Sequence, residues 1–305
     1  MEFAEELGFL KEQVLFGERI DAGKRFRNVA VAGMGGSGIV GKIFSEIYTE
    51  RPVTLIDGYN VPAHLSRDTL FIAVSYSGNT EETIKAAKYA ARKGCMVVTI
   101  SSGGRLGEYG DQKIRIPRSD LQPRSAIGYM LMPFMKGFGL VDDAGVKEAY
   151  KVLGGLDRNN QECFAHAKRI SRNKKIPIVY GAYPFSSIAY RWKTQFNENA
   201  KVISYCSSFP ELNHNDTMAL AETYRKDEFY IMVFDSERRE IKSRIEITSR
   251  LTQTKFNFIE FAGRSLAARL FYMIHYGDYL SYHLGKMRGV DPTDVSLIEE
   301  LKRSL

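Results

Sequence analysis

Residues 27–38 read RNVAVAGMGGSG. A short apolar run closes on Gly33, and four of the next five positions hold glycine or serine. Such a run is a buried strand ending in a tight turn. Residues 39–49 then carry helical spacing. A strand, a glycine turn and a helix in that order make a phosphate site, because the bare backbone comes close to an anion and the helix amides point at it. Gly35, Gly36 and Ser37 are the candidate phosphate contacts. The same stretch fits G-x-G-x-x-G, and Asp57 ends the next predicted strand. By spacing alone this is also a dinucleotide-binding fingerprint. The turn supports phosphate binding; it does not choose between a dinucleotide and a sugar phosphate.

Outward from this turn, strands are predicted over residues 27–33, 53–57, 70–75, 96–101 and 113–117. A helix fills residues 80–93, with Gly94 as its stop. Strand–helix alternation predicts an α/β fold, a mostly parallel sheet flanked by helices on both faces. Residues 124–171 are helical in pattern, with a break predicted at Gly154-Gly155, and the domain boundary is placed near residue 145. Residues 1–145 then form an N-terminal domain and 146–305 a C-terminal one. The second half repeats the scheme. Strands are expected at 176–181, 202–205, 228–234 and 257–261, and helices at 186–200, 236–252, 266–287 and 297–305. Two similar halves suggest duplication of one α/β unit.

A second loop, Ser75-Tyr76-Ser77-Gly78-Asn79-Thr80, also follows a buried strand and opens a helix. Thr80 is placed to cap that helix, with Glu81 and Glu82 in its first turn. Three hydroxyls, on Ser75, Ser77 and Thr80, together with exposed amides can hold several oxygens of one monophosphate. A dehydrogenase has no need of such a loop. Both loops fall at the carboxyl ends of strands, where α/β sheets bind ligands.

Bulk composition narrows the classes. The chain has 305 residues, 44% hydrophobic and 26% charged, which suits two globular domains. The net charge of +7 is spread along the chain and favours anionic substrates by steering. No helix-turn-helix pattern, zinc spacing or RNA-binding motif is present, so no nucleic-acid partner is expected. No run approaches the roughly 18 apolar residues of a membrane span, and the N-terminus lacks the features of a signal peptide. Cys95, Cys163 and Cys206 are odd in number and far apart, which points to a reducing, cytoplasmic setting.

GMGGSG with SYSGNTEET resembles the sugar-isomerase (SIS) domain of phosphosugar isomerases and phosphosugar-binding regulators. With QPRS at 122–125, FNENAK at 196–201, PELNHN at 210–215 and the C-terminal helix ending Glu300-Leu301-Lys302, the whole chain resembles the bifunctional phosphoglucose/phosphomannose isomerase family. The resemblance implies two SIS-type domains and interconversion of glucose 6-phosphate, and also mannose 6-phosphate, with fructose 6-phosphate. That reaction needs ring opening, a proton moved between C1 and C2, and stabilisation of the enediolate between them. The resemblance makes Glu198 the shuttling base and Arg124 the group that stabilises the enediolate. It makes His214 the ring-opening group, assisted by Lys302. His214 also stands apart from the other histidines: it lies in a polar loop, whereas His275 and His283 fall in a long apolar helix and read as structural. The family's site lies between subunits, which implies a homodimer with His214 contributed by the neighbouring chain. No HxH, HExxH or acidic cluster occurs at ligand spacing, so neither metal nor other cofactor is expected. Thr293, Val295 and Ser296 fall where the family places the residue that admits mannose 6-phosphate. A phosphosugar sensor and an NAD-dependent dehydrogenase are the alternatives; the first would lack the base, the second the hydroxyl loop.

Overall fold

The computed structural model describes residues 2–23 and 26–304, without the side chain of Lys302. The chain divides into two compact units. One comprises Gly8–Leu153 with Arg264–Ala268; the other comprises Met1–Leu7, Gly154–Gly263 and Arg269–Leu305. Among the described residues no helix is long and apolar enough to cross a membrane.

Along the first part of the chain run α1 (Phe3–Gly8), α2 (Leu10–Gln13), β1 (Asn28–Ala32), α3 (Gly35–Ile47), β2 (Val53–Ile56), β3 (Thr69–Val74), α4 (Glu81–Arg92), β4 (Met96–Ser101), β5 (Gln112–Arg115), α5 (Ile127–Gly137) and α6 (Asp143–Arg158). The five strands form one parallel sheet in the order β2-β1-β3-β4-β5. All six residues of β3 are buried, as a central strand covered on both faces requires. Ala30 and Ala32 of β1 share a core with Ile84, Ala86, Ala87 and Ala90 of α4. Val31, of opposite parity, faces Gly41 of α3, where an added Cβ would lie 2.9 Å from its Cγ1.

The remainder supplies α7 (Gln161–Arg172), β6 (Ile176–Ala182), α8 (Ser186–Ala200), β7 (Tyr205–Phe209), α9 (Asp216–Glu222), β8 (Phe229–Phe234), α10 (Arg239–Thr252), β9 (Asn257–Ile259), α11 (Leu266–Arg288) and α12 (Ser296–Ser304). Its parallel sheet has the order β7-β6-β8-β9, the order of the first four strands of the other sheet. Tyr180, Ala182, Ile231 and Val233 form one core with Ile241 and Ile245 of α10. Gly181, on the other face, meets Ala189 of α8.

Four local expectations are corrected. Helix α3 begins at Gly35, not at residue 39. Helix α6 runs through Gly154-Gly155 and ends at Arg158, because Leu153 and Leu156 are buried and their packing outweighs the roughly 1 kcal/mol that each glycine costs. The strand expected at 202–205 is Tyr205–Phe209 instead, a polar edge strand whose sequence hides its pairing. Helix α10 starts at Arg239 rather than at residue 236, after Ser236 Oγ has accepted the Arg238 amide.

Candidate active site

In the unit of Gly8–Leu153 the strand order reverses between β1 and β3, so the loops that follow these strands flank the switch-point crevice where open α/β sheets bind ligands. The first loop is the glycine turn. Gly35 adopts φ +52°, and a Cβ on Gly38 would lie 2.6 Å from the Gly33 carbonyl oxygen. Ser37 is buried; its Oγ accepts from the Tyr76 amide at 3.1 Å and donates to Met130 Sδ at 3.5 Å. Ser37 therefore stitches the two predicted loops together.

In the second loop Ser75 Oγ and Thr80 Oγ1 are 2.9 Å apart, and Ser75 Oγ accepts from the Gly78 amide at 3.1 Å. Thr80 stands at the N-cap of α4, but its side chain makes no cap bond, being turned to Ser75 instead. Ser77 is exposed and accepts from the Asn79 amide. A third loop, absent from the sequence reading, braces this one. Ser102 donates twice to Tyr76 O, and Leu106 N donates to Gly78 O. Gly78 and Gly104, both at positive φ, interlock: a Cβ on Gly78 would meet Gly103 O at 1.8 Å, and one on Gly104 would meet Ser77 O at 2.4 Å. Ser102-Gly103-Gly104 after β4 was the signal that could have revealed it.

Arg124 lies on the segment that enters α5. It is 3% exposed, and its Nη1 donates to Gln122 Oε1 at 3.2 Å. The segment packs directly on the glycine turn: a Cβ on Gly36 would lie 3.1 Å from both N and Cα of Arg124. Tyr76 Oη accepts from the Leu121 amide and donates to Arg118 O. Arg118, the neighbouring guanidinium, forms a fork with Asp120 at 2.6 and 3.0 Å. Asp57, the dinucleotide hallmark, pairs with Lys42 Nζ at 3.0 Å, which holds its carboxyl below the usual range.

The other unit carries Glu198 on the last turn of α8, and α8 is clamped along α11. Arg191 Nη2 reaches both carboxylate oxygens of buried Asp278, at 2.8 and 3.0 Å, and Gln195 donates to the same carboxylate at 2.6 Å. Asn199 donates to Ser281 Oγ at 3.0 Å. Gly277 admits Trp192, and Gly285 admits the Asn199 carbonyl, 2.5 Å from where a Cβ would stand. Lys201 ends α8 at φ 53°, and its Nζ bridges the carbonyls of Glu198 at 2.5 Å and Asp294 at 2.7 Å. The turn holding Thr293 is thus tied to the helix end that holds Glu198. Thr293 Oγ1 donates to Asp291 at 2.8 Å. Asp294 sits below the usual carboxylate range, held by the Ser296 amide and hydroxyl.

His214 is exposed, closing a short turn after β7. The structure does not bring it to Glu198. Helix α8 descends beside β6, and β7 rises parallel to β6, so Glu198 lies near the start of β7 and His214 beyond its end. At about 3.3 Å per residue the five residues of β7 keep them roughly 15 Å apart. Lys302 belongs to α12, but its side chain lies outside the described residues. His275 is fully buried and bonds Asp157 at 2.7 Å, and His283 bonds Asn160 at 2.9 Å.

Two family models match the chain in order: the SIS domain at residues 25–132, and the bacterial phospho-glucose isomerase C-terminal SIS domain at residues 160–305. The chain is similar to the bifunctional phosphoglucose/phosphomannose isomerases of Thermoplasma acidophilum and Thermoplasma volcanium. Each is 53% identical over 305 residues, covering 100% of this chain and 98% and 100% of the relatives. Its fold is similar to that of glucosamine-6-phosphate deaminase from Thermotoga maritima, at a TM-score of 0.73 and 14% identity, covering 95% of this chain and 94% of the other. Identity of that extent along the full length, with both SIS models matched in sequence order, places the chain in the bifunctional phosphoglucose/phosphomannose isomerase family.

Proposed function

We propose that the chain is an aldose–ketose isomerase that interconverts glucose 6-phosphate and mannose 6-phosphate with fructose 6-phosphate, without a metal. The observation that carries this reading is the 53% full-length identity to relatives named for both activities. The anion-ready switch point of the first sheet supports it. There the substrate phosphate meets the amides of Gly35 and Gly36 and the hydroxyls of Ser75, Ser77 and Thr80. Ser37 adds support chiefly by holding the loops. Arg124 neutralises the enediolate oxygen. Glu198 takes the proton from C2 of the open-chain aldose and returns it to C1 while the O2 hydroxyl proton passes to O1, giving the ketose. His214 and Lys302 move the ring-opening protons.

The separation of Glu198 and His214 along β7 supports a homodimer in which His214 serves the neighbouring subunit's site. Three unpaired thiols, Cys95, Cys163 and Cys206, are in keeping with a cytoplasmic setting.

The test is an assay of EDTA-treated protein with glucose 6-phosphate and, separately, mannose 6-phosphate, reading fructose 6-phosphate. Undiminished turnover of both is expected. Turnover of glucose 6-phosphate alone would locate the restriction at Thr293–Ser296. Failure with both would refute the isomerase reading.

A further inference from the structure

Gln13 of α2 is fully buried, 112 positions before the segment it serves. Its Nε2 donates to Ser125 O at 2.8 Å, and its Oε1 accepts from Gly128 N at 2.9 Å and Tyr129 N at 3.3 Å. These three bonds grip the residue after Arg124 and the first turn of α5. Amides in a helix's first turn have no intrahelical acceptor. The N-cap of α5 is Ala126, which has no side-chain acceptor to offer. Gln13 supplies that acceptor from another helix. Gly128 makes room for it: a Cβ there would stand 2.6 Å from Gln13 Cβ and 2.9 Å from Oε1. On its other side the Arg124 backbone rests on Gly36.

We propose that Gln13 is a positioning residue for the Arg124 guanidinium, an inference that rests on Arg124 stabilising the enediolate. A group that meets charge only in the transition state works from a fixed place, and small displacements cost rate rather than binding. A buried carboxamide that must make one donor and two acceptor bonds together selects one conformation of residues 124–129. Glutamine is needed for this. Asparagine is one methylene short, methionine fills the space without making the bonds, and glutamate there either brings a buried charge or, protonated, has one acceptor fewer for the two amides.

The experiment is a double-mutant cycle. Gln13→Met and Gln13→Asn are each made in the natural chain and in Arg124→Ala, and melting curves identify the folded proteins. In the natural background kcat is expected to fall at least about tenfold while KM for glucose 6-phosphate stays within about twofold, because no residue of the phosphate loops is replaced. In Arg124→Ala the same replacements should lower kcat by less than about twofold. A comparable fall in both backgrounds would overturn the proposal, since Gln13 would then act independently of Arg124. An unchanged kcat in the natural background would overturn it equally. If Gln13→Met does not fold, Gln13→Asn, which keeps the carboxamide but is one methylene short of its partners, gives the same reading. If Arg124→Ala itself keeps full turnover, it is the role of Arg124 that fails, separately from the bonding of Gln13.

Discussion

Ser37 and Ser77 lie in adjoining loops and use their hydroxyls differently. Ser37 is buried and holds the Tyr76 amide; Ser77 is exposed and holds only a local one. Both read in the sequence as phosphate ligands, because a hydroxyl beside glycines suits either purpose, and the partner of Ser37 is 39 residues away. Gln13 was illegible for the same reason, its role being set wholly by distant contacts. Glu198 was found through the FNENAK resemblance, since nothing in a glutamate near a helix end marks it as a base. Replacing it with glutamine removes the proton acceptor and keeps the shape. Glu198→Gln is expected to lower kcat at least about a hundredfold, with glucose 6-phosphate binding by calorimetry nearly unchanged. A variant that kept most of its turnover would remove Glu198 as the base.

The seam between α8 and α11 adds polar pairs and close-approach glycines to its aromatic packing. Asp278 receives Arg191 and Gln195, Ser281 receives Asn199, and Gly277 and Gly285 bring the helices close. Trp192 stacks on Tyr276 at 5.4 Å and 5°. Gly285→Ala would place a methyl 2.5 Å from the Asn199 carbonyl oxygen, a backbone atom that can yield only by moving the end of α8. The expected outcome is a loss of about 1–3 kcal/mol in denaturant unfolding together with a lower kcat, since Glu198 moves with that turn. Unaltered stability would show the seam to be looser than its geometry. At this scale the sequence served strands better than helix limits. The buried runs of β1, β3 and β4 were plain, each being mainly apolar. Edge strand β7 and the passage of α6 through two glycines depended on neighbours that no local pattern reports.

Over the whole molecule, the two sheets share the strand order of four strands, in keeping with the similar halves that the alternating pattern suggested. A homodimer with His214 delivered across the interface makes a sharp forecast. Glu198→Gln and His214→Gln proteins, each inactive alone, should regain about a quarter of natural activity when unfolded, mixed and refolded, because half the dimers are mixed and each carries one intact site. No recovery would place both groups in one subunit.

The equivalent loops of the two sheets have parted company. After β1 the chain offers glycines; after β6 it offers Tyr183, Pro184 and Phe185, with the Arg238 guanidinium 4.8 Å from the Tyr183 ring. At the switch point of the first sheet the loop is bare backbone; at that of the second it carries bulky rings. Because each loop belongs to its own sheet, a substitution in one leaves the other intact, and the two can diverge separately.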